Sequence, residues 1–126
     1  MTSTAPLLSL LGNYLKLVTN REQAISSNMA NVDTPGYRTR DIDFQAEMKK
    51  AMSEALTPSA NGTETAQMSP VLQEVQGLME RPDGNNVNID REGLLMAETQ
   101  LQYQMGVQLV KRQFHQILSA INGGGQ

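Results

Sequence analysis

In Ser27-Asn28-Met29-Ala30-Asn31-Val32-Asp33-Thr34-Pro35-Gly36-Tyr37 a long amphipathic segment meets its end. Pro35 has no amide hydrogen and biases Thr34 away from helical angles, while Gly36 permits a positive φ that a side chain resists. A helix arriving from the N-terminal side therefore stops here. Asn31 and Asp33 are suited to bond the freed backbone groups locally, and Tyr37 sets an amphipathic ring directly after the turn.

Upstream of this stop, apolar residues fall at Leu7, Leu11, Tyr14, Val18, Ile25 and Val32 in alternating steps of four and three, with Arg21 and Asn28 filling two of the positions. This is a heptad stripe with two polar interruptions, which are expected to set register at some cost in stability. Leu8, Leu10, Leu15, Leu17, Ala24 and Met29 widen the apolar surface beyond one seam, as a helix with several neighbours requires. Pro6, with Thr4 or Ala5 before it, suits a first helical turn and places the start near residue 5.

Downstream, Arg38 to Phe44 alternates polar residues with Ile42 and Phe44, an extended segment with one half-buried face. Gln45 to Leu56 returns to helical composition with Met48, Met52 and Leu56 on one face, and Thr57 to Thr65 is expected to be an exposed loop. Val71 to Met79 fits either a short helix or a strand, and strand is the reading taken. The second punctuation is Arg81-Pro82-Asp83-Gly84-Asn85-Asn86-Val87-Asn88-Ile89-Asp90-Arg91-Glu92. Asp90 is expected to cap a new helix, Glu92 to suit its first turn, and Ile89 and Leu94 to form a hydrophobic staple. A calcium loop fails on spacing: with Asp83 first and Asn85 third, the fifth position is Val87 and the sixth is Asn88, where glycine is needed. From Asp90 to Ile121 one stripe carries Met96, Tyr103, Val107, Val110, Phe114, Ile117 and Ile121 with Gln100 inside it, and Leu94, Ala97, Leu101 and Met105 form a second. Gly123-Gly124-Gly125 ends the helix.

The fold class expected is mainly α, with long N- and C-terminal helices packing as a coiled-coil-like pair and an irregular, extended middle. The division is an N-terminal helix within 1–35, a middle segment 36–89 with a possible short helix 45–56, and a C-terminal helix with a glycine tail within 90–126. Leu7, Leu11, Tyr14, Val18, Ile25 and Val32 on the first helix, and Tyr103, Val107, Val110, Phe114, Ile117 and Ile121 on the last, are the candidate subunit-packing residues. The candidate turn residues are Asn28, Asn31, Thr34, Pro35, Gly36 and Tyr37 in the first punctuation and Asp83, Gly84, Asn85 and Asn86 in the second.

With 126 residues, 39% hydrophobic and only 4% aromatic, the chain has little material for a thick core. The absence of cysteine excludes disulfides and thiolate chemistry. A net charge of −3 with scattered lysines and arginines argues against nucleic acid as a partner. The apolar run Leu7 to Leu11 is broken by Ser9 and far shorter than the ~20 residues of a membrane span. The first basic residue is Lys16, so no secretory signal peptide is expected. His115 is the sole histidine, no carboxylate pair or triad spacing appears, and neither enzymatic activity nor a cofactor is expected.

The string Asn28-Met29-Ala30-Asn31-Val32-Asp33-Thr34-Pro35-Gly36-Tyr37 closely resembles the signature near the N-terminus of bacterial flagellar axial proteins, the rod and hook components. Asp83 to Glu92, with Tyr103-Gln104 and the Phe114 to Ile121 ending, is similar to the proximal rod members of that family. The likeness covers residues 7–44 and 83–122; Asn88, where an acidic residue is expected, and Gly93, where a bulkier one is, depart from it. The resemblance implies a structural subunit of the basal-body rod, exported without a cleaved signal peptide by the flagellar type III apparatus and assembled in the periplasm into a hollow shaft used for motility. It implies as partners other copies of the chain, FliE, the flagellar export gate and other rod proteins such as FlgC and FlgF. A helical adaptor or export chaperone of a secretion system is the alternative, since it too would show amphipathic ends without chemistry.

Overall fold

The computed structural model describes residues 4–56 and 69–123. Its elements run α1 (Thr4–Ala30), β1 (Arg40–Ile42), α2 (Phe44–Leu56), β2 (Leu72–Glu74) and α3 (Ile89–Gly123). Helix α1 is the axis of the molecule: α3, α2 and β1 all pack on it, and β2 packs on β1. The mainly α architecture with a long terminal pair and an irregular middle is thus present. The loop expected at Thr57 to Thr65 and the tail at Gly124-Gly125 lie outside the described residues.

Each element begins or ends where a side chain takes over from the backbone. At the end of α1 the Asn31 amide and its Nδ2 both donate to the Ser27 carbonyl, at 3.1 and 2.8 Å. Thr34-Pro35-Gly36-Tyr37 then closes a turn through Tyr37 N–H to Thr34 O at 3.2 Å, with Gly36 at φ 75°. Asp43 caps α2 by accepting from the Ala46 amide at 3.2 Å. At α3 the cap is Asn88 and not the expected Asp90: Asn88 Oδ1 accepts from the Asp90 and Arg91 amides, each at 3.1 Å. Ile89 is consequently the first residue inside the helix, and it and Leu94 are both exposed, so the expected staple does not form.

Strands β1 and β2 pair antiparallel with Arg40 opposite Glu74, Asp41 opposite Gln73 and Ile42 opposite Leu72. The strand expected over Val71 to Met79 is confined to its first third, and Val75 N–H adds one further bond to Thr39 O at 2.9 Å. In α2 the inward residues are Glu47 and Ala51, while Met52 and Leu56, at four-residue spacing, are exposed.

The core lies along α1, at Leu11, Leu17, Val18, Ala24 and Ile25, and is completed by Ile42, Ala51 and Val87. Tyr14 meets Phe44 edge to face, with ring centroids 5.8 Å apart. On α3 the residues turned most fully inward are Glu92, Thr99 and Gly106, at seven-residue steps. The expected stripe through Met96, Tyr103 and Phe114 lies to one side of that line, leaving Tyr103, Phe114 and Ile121 exposed and Val107, Val110 and Ile117 half-buried. The physical cause is close approach at Gly106, where an added Cβ would sit 2.6 Å from Leu15 Cδ2 and 3.0 Å from Tyr14 Cε1. The helices meet where one of them has no side chain, and the bulky residues are turned aside.

Candidate functional site

The two punctuation motifs, more than forty residues apart in sequence, fold into one joint at the end of the helix pair. Asn28 is 1% exposed, and its amide is fully used. Nδ2 donates to Arg40 O at 2.8 Å and to Glu92 Oε2 at 3.1 Å, while Oδ1 accepts from the Tyr37 hydroxyl at 3.0 Å and from Arg40 N–H at 3.1 Å. One side chain therefore ties α1 to the turn, to β1 and to α3. Glu92 is 0% exposed; its other oxygen accepts from Arg91 at 2.7 Å. Arg91 also stands 3.8 Å from Asp41, which Arg21 of α1 grips with two parallel bonds of 3.2 Å each. Arg21 extends on over the Phe44 ring at 5.9 Å.

A second set of contacts locks the turns themselves. Asn85 and Asn86 are buried; Asn85 Nδ2 donates to Asn31 O and Thr34 O at 2.9 and 2.8 Å, and its Oδ1 accepts from Val87 N–H at 2.8 Å. Asn86 Oδ1 accepts from Thr39 N–H at 2.6 Å. Gly36 N–H donates to Asp83 O at 2.9 Å, and Gly84, at φ 87°, lies so close that its Cβ would be 3.3 Å from Gly36 Cα. Arg81 reaches the Val32 carbonyl, and Arg38 bonds Gly84 O and pairs with Glu74 and Glu80. The Arg38 guanidinium is held above its ordinary pKa, chiefly by its hydrogen bond to Glu74. Tyr14 is likewise raised, by burial.

Fourteen residues separate Asn28 from Tyr14, and fourteen separate Glu92 from Gly106. Since Asn28 touches Glu92 and Tyr14 faces Gly106, the helices run antiparallel in step over two heptads. The arrangement offers no nucleophile paired with a base; it joins and orients.

All ten candidate turn residues fall within this joint, with Pro35, Thr34 and Asp83 at its exposed rim. Leu11, Val18 and Ile25 lie in the core, Tyr14 and Val32 are half-buried, and Leu7 is exposed. Glu92, Arg91, Asp41, Thr39 and Gly106 are not among the sequence candidates. A signal did exist for part of this: a polar Arg21 and Asn28 in an otherwise apolar stripe demand partners.

No family model matches the chain. It is 35% identical over 122 residues to the flagellar basal body rod protein FlgB of Salmonella typhimurium, covering 87% of this chain and 88% of that protein. Identity to FlgB of Escherichia coli is 36% over the same span. FlgB of Cereibacter sphaeroides is 31% identical over 128 residues, covering 98% of this chain and 99% of that protein. With identity of this order along nearly its whole length, the chain belongs to the FlgB family of flagellar basal body rod proteins.

Proposed function

We propose that this chain is a structural subunit of the flagellar rod whose long helices are covered by neighbouring subunits. One observation carries the reading: α3 packs chiefly on α1 and leaves Tyr103, Phe114, Leu118 and Ile121 exposed along a single flank. Contiguous apolar surface of this kind marks an interaction face, and covering each such side chain contributes roughly 1.5–3 kcal/mol. The polar joint supports the same reading, because a bundle fixed at one end presents that flank in a set direction. The neighbours are other rod components: further copies of the chain, FliE and the export gate on the membrane-proximal side, and FlgC and FlgF outward. The chain leaves the cytoplasm without a cleaved signal peptide and assembles in the periplasm, and it performs no enzymatic step. The resemblance of both motifs supports these finer placements, and the relatives' names favour the rod over an adaptor or chaperone.

Complementation of a flagellated bacterium lacking its own copy tests this. Leu11→Asp and Ile117→Asp attack the helix pair, whereas Phe114→Asp alters only an exposed flank and should leave the far-ultraviolet circular dichroism of the purified chain unchanged. All three are expected to be synthesised but to give no complete rod and no swimming. Normal swimming with Phe114→Asp would remove the claim that neighbours cover this flank.

A further inference from the structure

The side of α3 turned away from α1 carries a second apolar strip. Leu94, Leu101, Met105 and Leu109 are 72%, 58%, 56% and 45% exposed. At 3.6 residues per turn they share one side, centred about 115° around the helix from Thr99 and Gly106. An open concavity of about 700 Å³ runs along Leu101, Met105, Leu109 and Arg112, bounded among the described residues by α3 alone. Whatever settles there has to supply the other wall.

The order of residues along the strip specifies that wall. Leu101 and Leu109 each stand four residues from Met105, and Glu98 and Arg112 each stand seven from it. About Met105 the strip is alike over Leu101 to Leu109 and opposite in charge at Glu98 and Arg112, while Leu94 has Gln116 as its counterpart. No ion pair joins Glu98 or Arg112 to another described residue. A second α3 laid antiparallel about Met105 sets leucine against leucine and methionine against methionine, and brings each Glu98 to the other copy's Arg112. Antiparallel helix dipoles add to the attraction.

We infer that this strip is a twofold docking surface for a second copy of the chain, centred on Met105. The contact is isologous and closes on itself, so it makes a pair and not a filament. It is a holding form of the free chain that removes the outward strip from water, and it lies on a different side of α3 from the Phe114 flank. The inference stands on the strip alone, whatever the chain later assembles into.

Sedimentation equilibrium of the purified full chain across about 1 μM to 1 mM reads the pairing directly. A monomer–dimer equilibrium is expected. Met105→Glu sets two like charges on the twofold axis and should raise the dimer dissociation constant on the order of 100-fold. Glu98→Arg should weaken the dimer about tenfold or more, and Glu98→Arg with Arg112→Glu should restore it. Because the chain has no cysteine, single cysteines report orientation. A mixture of Glu98→Cys and Arg112→Cys chains should be joined by a short bismaleimide between positions 98 and 112 and not between two copies of 98. Met105, Glu98 and Arg112 are all exposed, so the variants keep the fold, with circular dichroism as the check. A monomer throughout this range overturns the proposal, as does a dimer indifferent to Met105→Glu or joined at 98 to 98.

Discussion

Replacing Asn28 with alanine removes four hydrogen bonds from a side chain that is 1% exposed. Their losses are unequal. The Tyr37 hydroxyl still has Ser27 Oγ at 3.4 Å, and the Arg40 backbone lies near solvent, so water offsets part of the three neutral losses. The bond to Glu92 is different, because a fully buried carboxylate is left with Arg91 as its one remaining partner among the described residues. Taking about 0.5–1.5 kcal/mol for a neutral bond and about 1.5–3 kcal/mol for one to a charge, discounted for water, the cost is about 3–5 kcal/mol. That is a large share of the ~5–15 kcal/mol that holds a small domain together. Urea denaturation followed at 222 nm should show the midpoint falling by about 2 M. A double-mutant cycle with Glu92→Gln isolates the Asn28–Glu92 term, for which a coupling above about 1 kcal/mol is expected. Asn28→Asp sets a second carboxylate beside Glu92 and should destabilise more than Asn28→Ala. A total loss below about 1 kcal/mol for Asn28→Ala, or no coupling to Glu92, would refute the reasoning that this amide holds the joint.

Gly106→Leu drives a side chain into Leu15 and Tyr14 and should cost about 1–3 kcal/mol by forcing α1 and α3 apart, measured by the same denaturation; an unchanged midpoint would show that the helices are not in close approach there. Gly36→Val must adopt a φ of 75° and should cost about 1–2 kcal/mol or more, with loss of rod assembly in cells; unaltered assembly would show that the turn tolerates another backbone path. Tyr14 has its pKa raised above the ordinary 10.0 by burial, so the folded state resists its ionisation. Its contribution is fully present below pH 10.0 and is lost as pH rises through the higher folded value. Stability of the wild type should therefore fall more steeply with alkaline pH than that of Tyr14→Phe, and parallel pH curves would contradict this.

The sequence by itself determined what depends on neighbours within a few residues. Asn31 bonds the end of α1, Pro35-Gly36 makes the turn after it, Asp83-Gly84 turns the chain, and alternating apolar residues form β1 and the start of β2, because those outcomes follow from local sterics and hydrogen bonding. Apolar periodicity made both terminal segments helical with more greasy surface than one partner covers. Periodicity does not say which side a partner takes. The seam of α3 is set by Glu92, Thr99 and Gly106, since the closest approach of two helices depends on what stands opposite, and a glycine facing Tyr14 outweighs a stripe containing Tyr103 and Phe114. The cap at Asn88 and the outward turn of Ile89 and Leu94 follow from where that seam holds the start of α3. Arg21 and Asn28 announced a need for polar partners, but Glu92 lies 64 residues from Asn28, and no local pattern connects them. Only the folded chain brings them together, and burial of both makes partners obligatory, which each finds in the other alongside Arg40 and Tyr37 for Asn28 and Arg91 for Glu92.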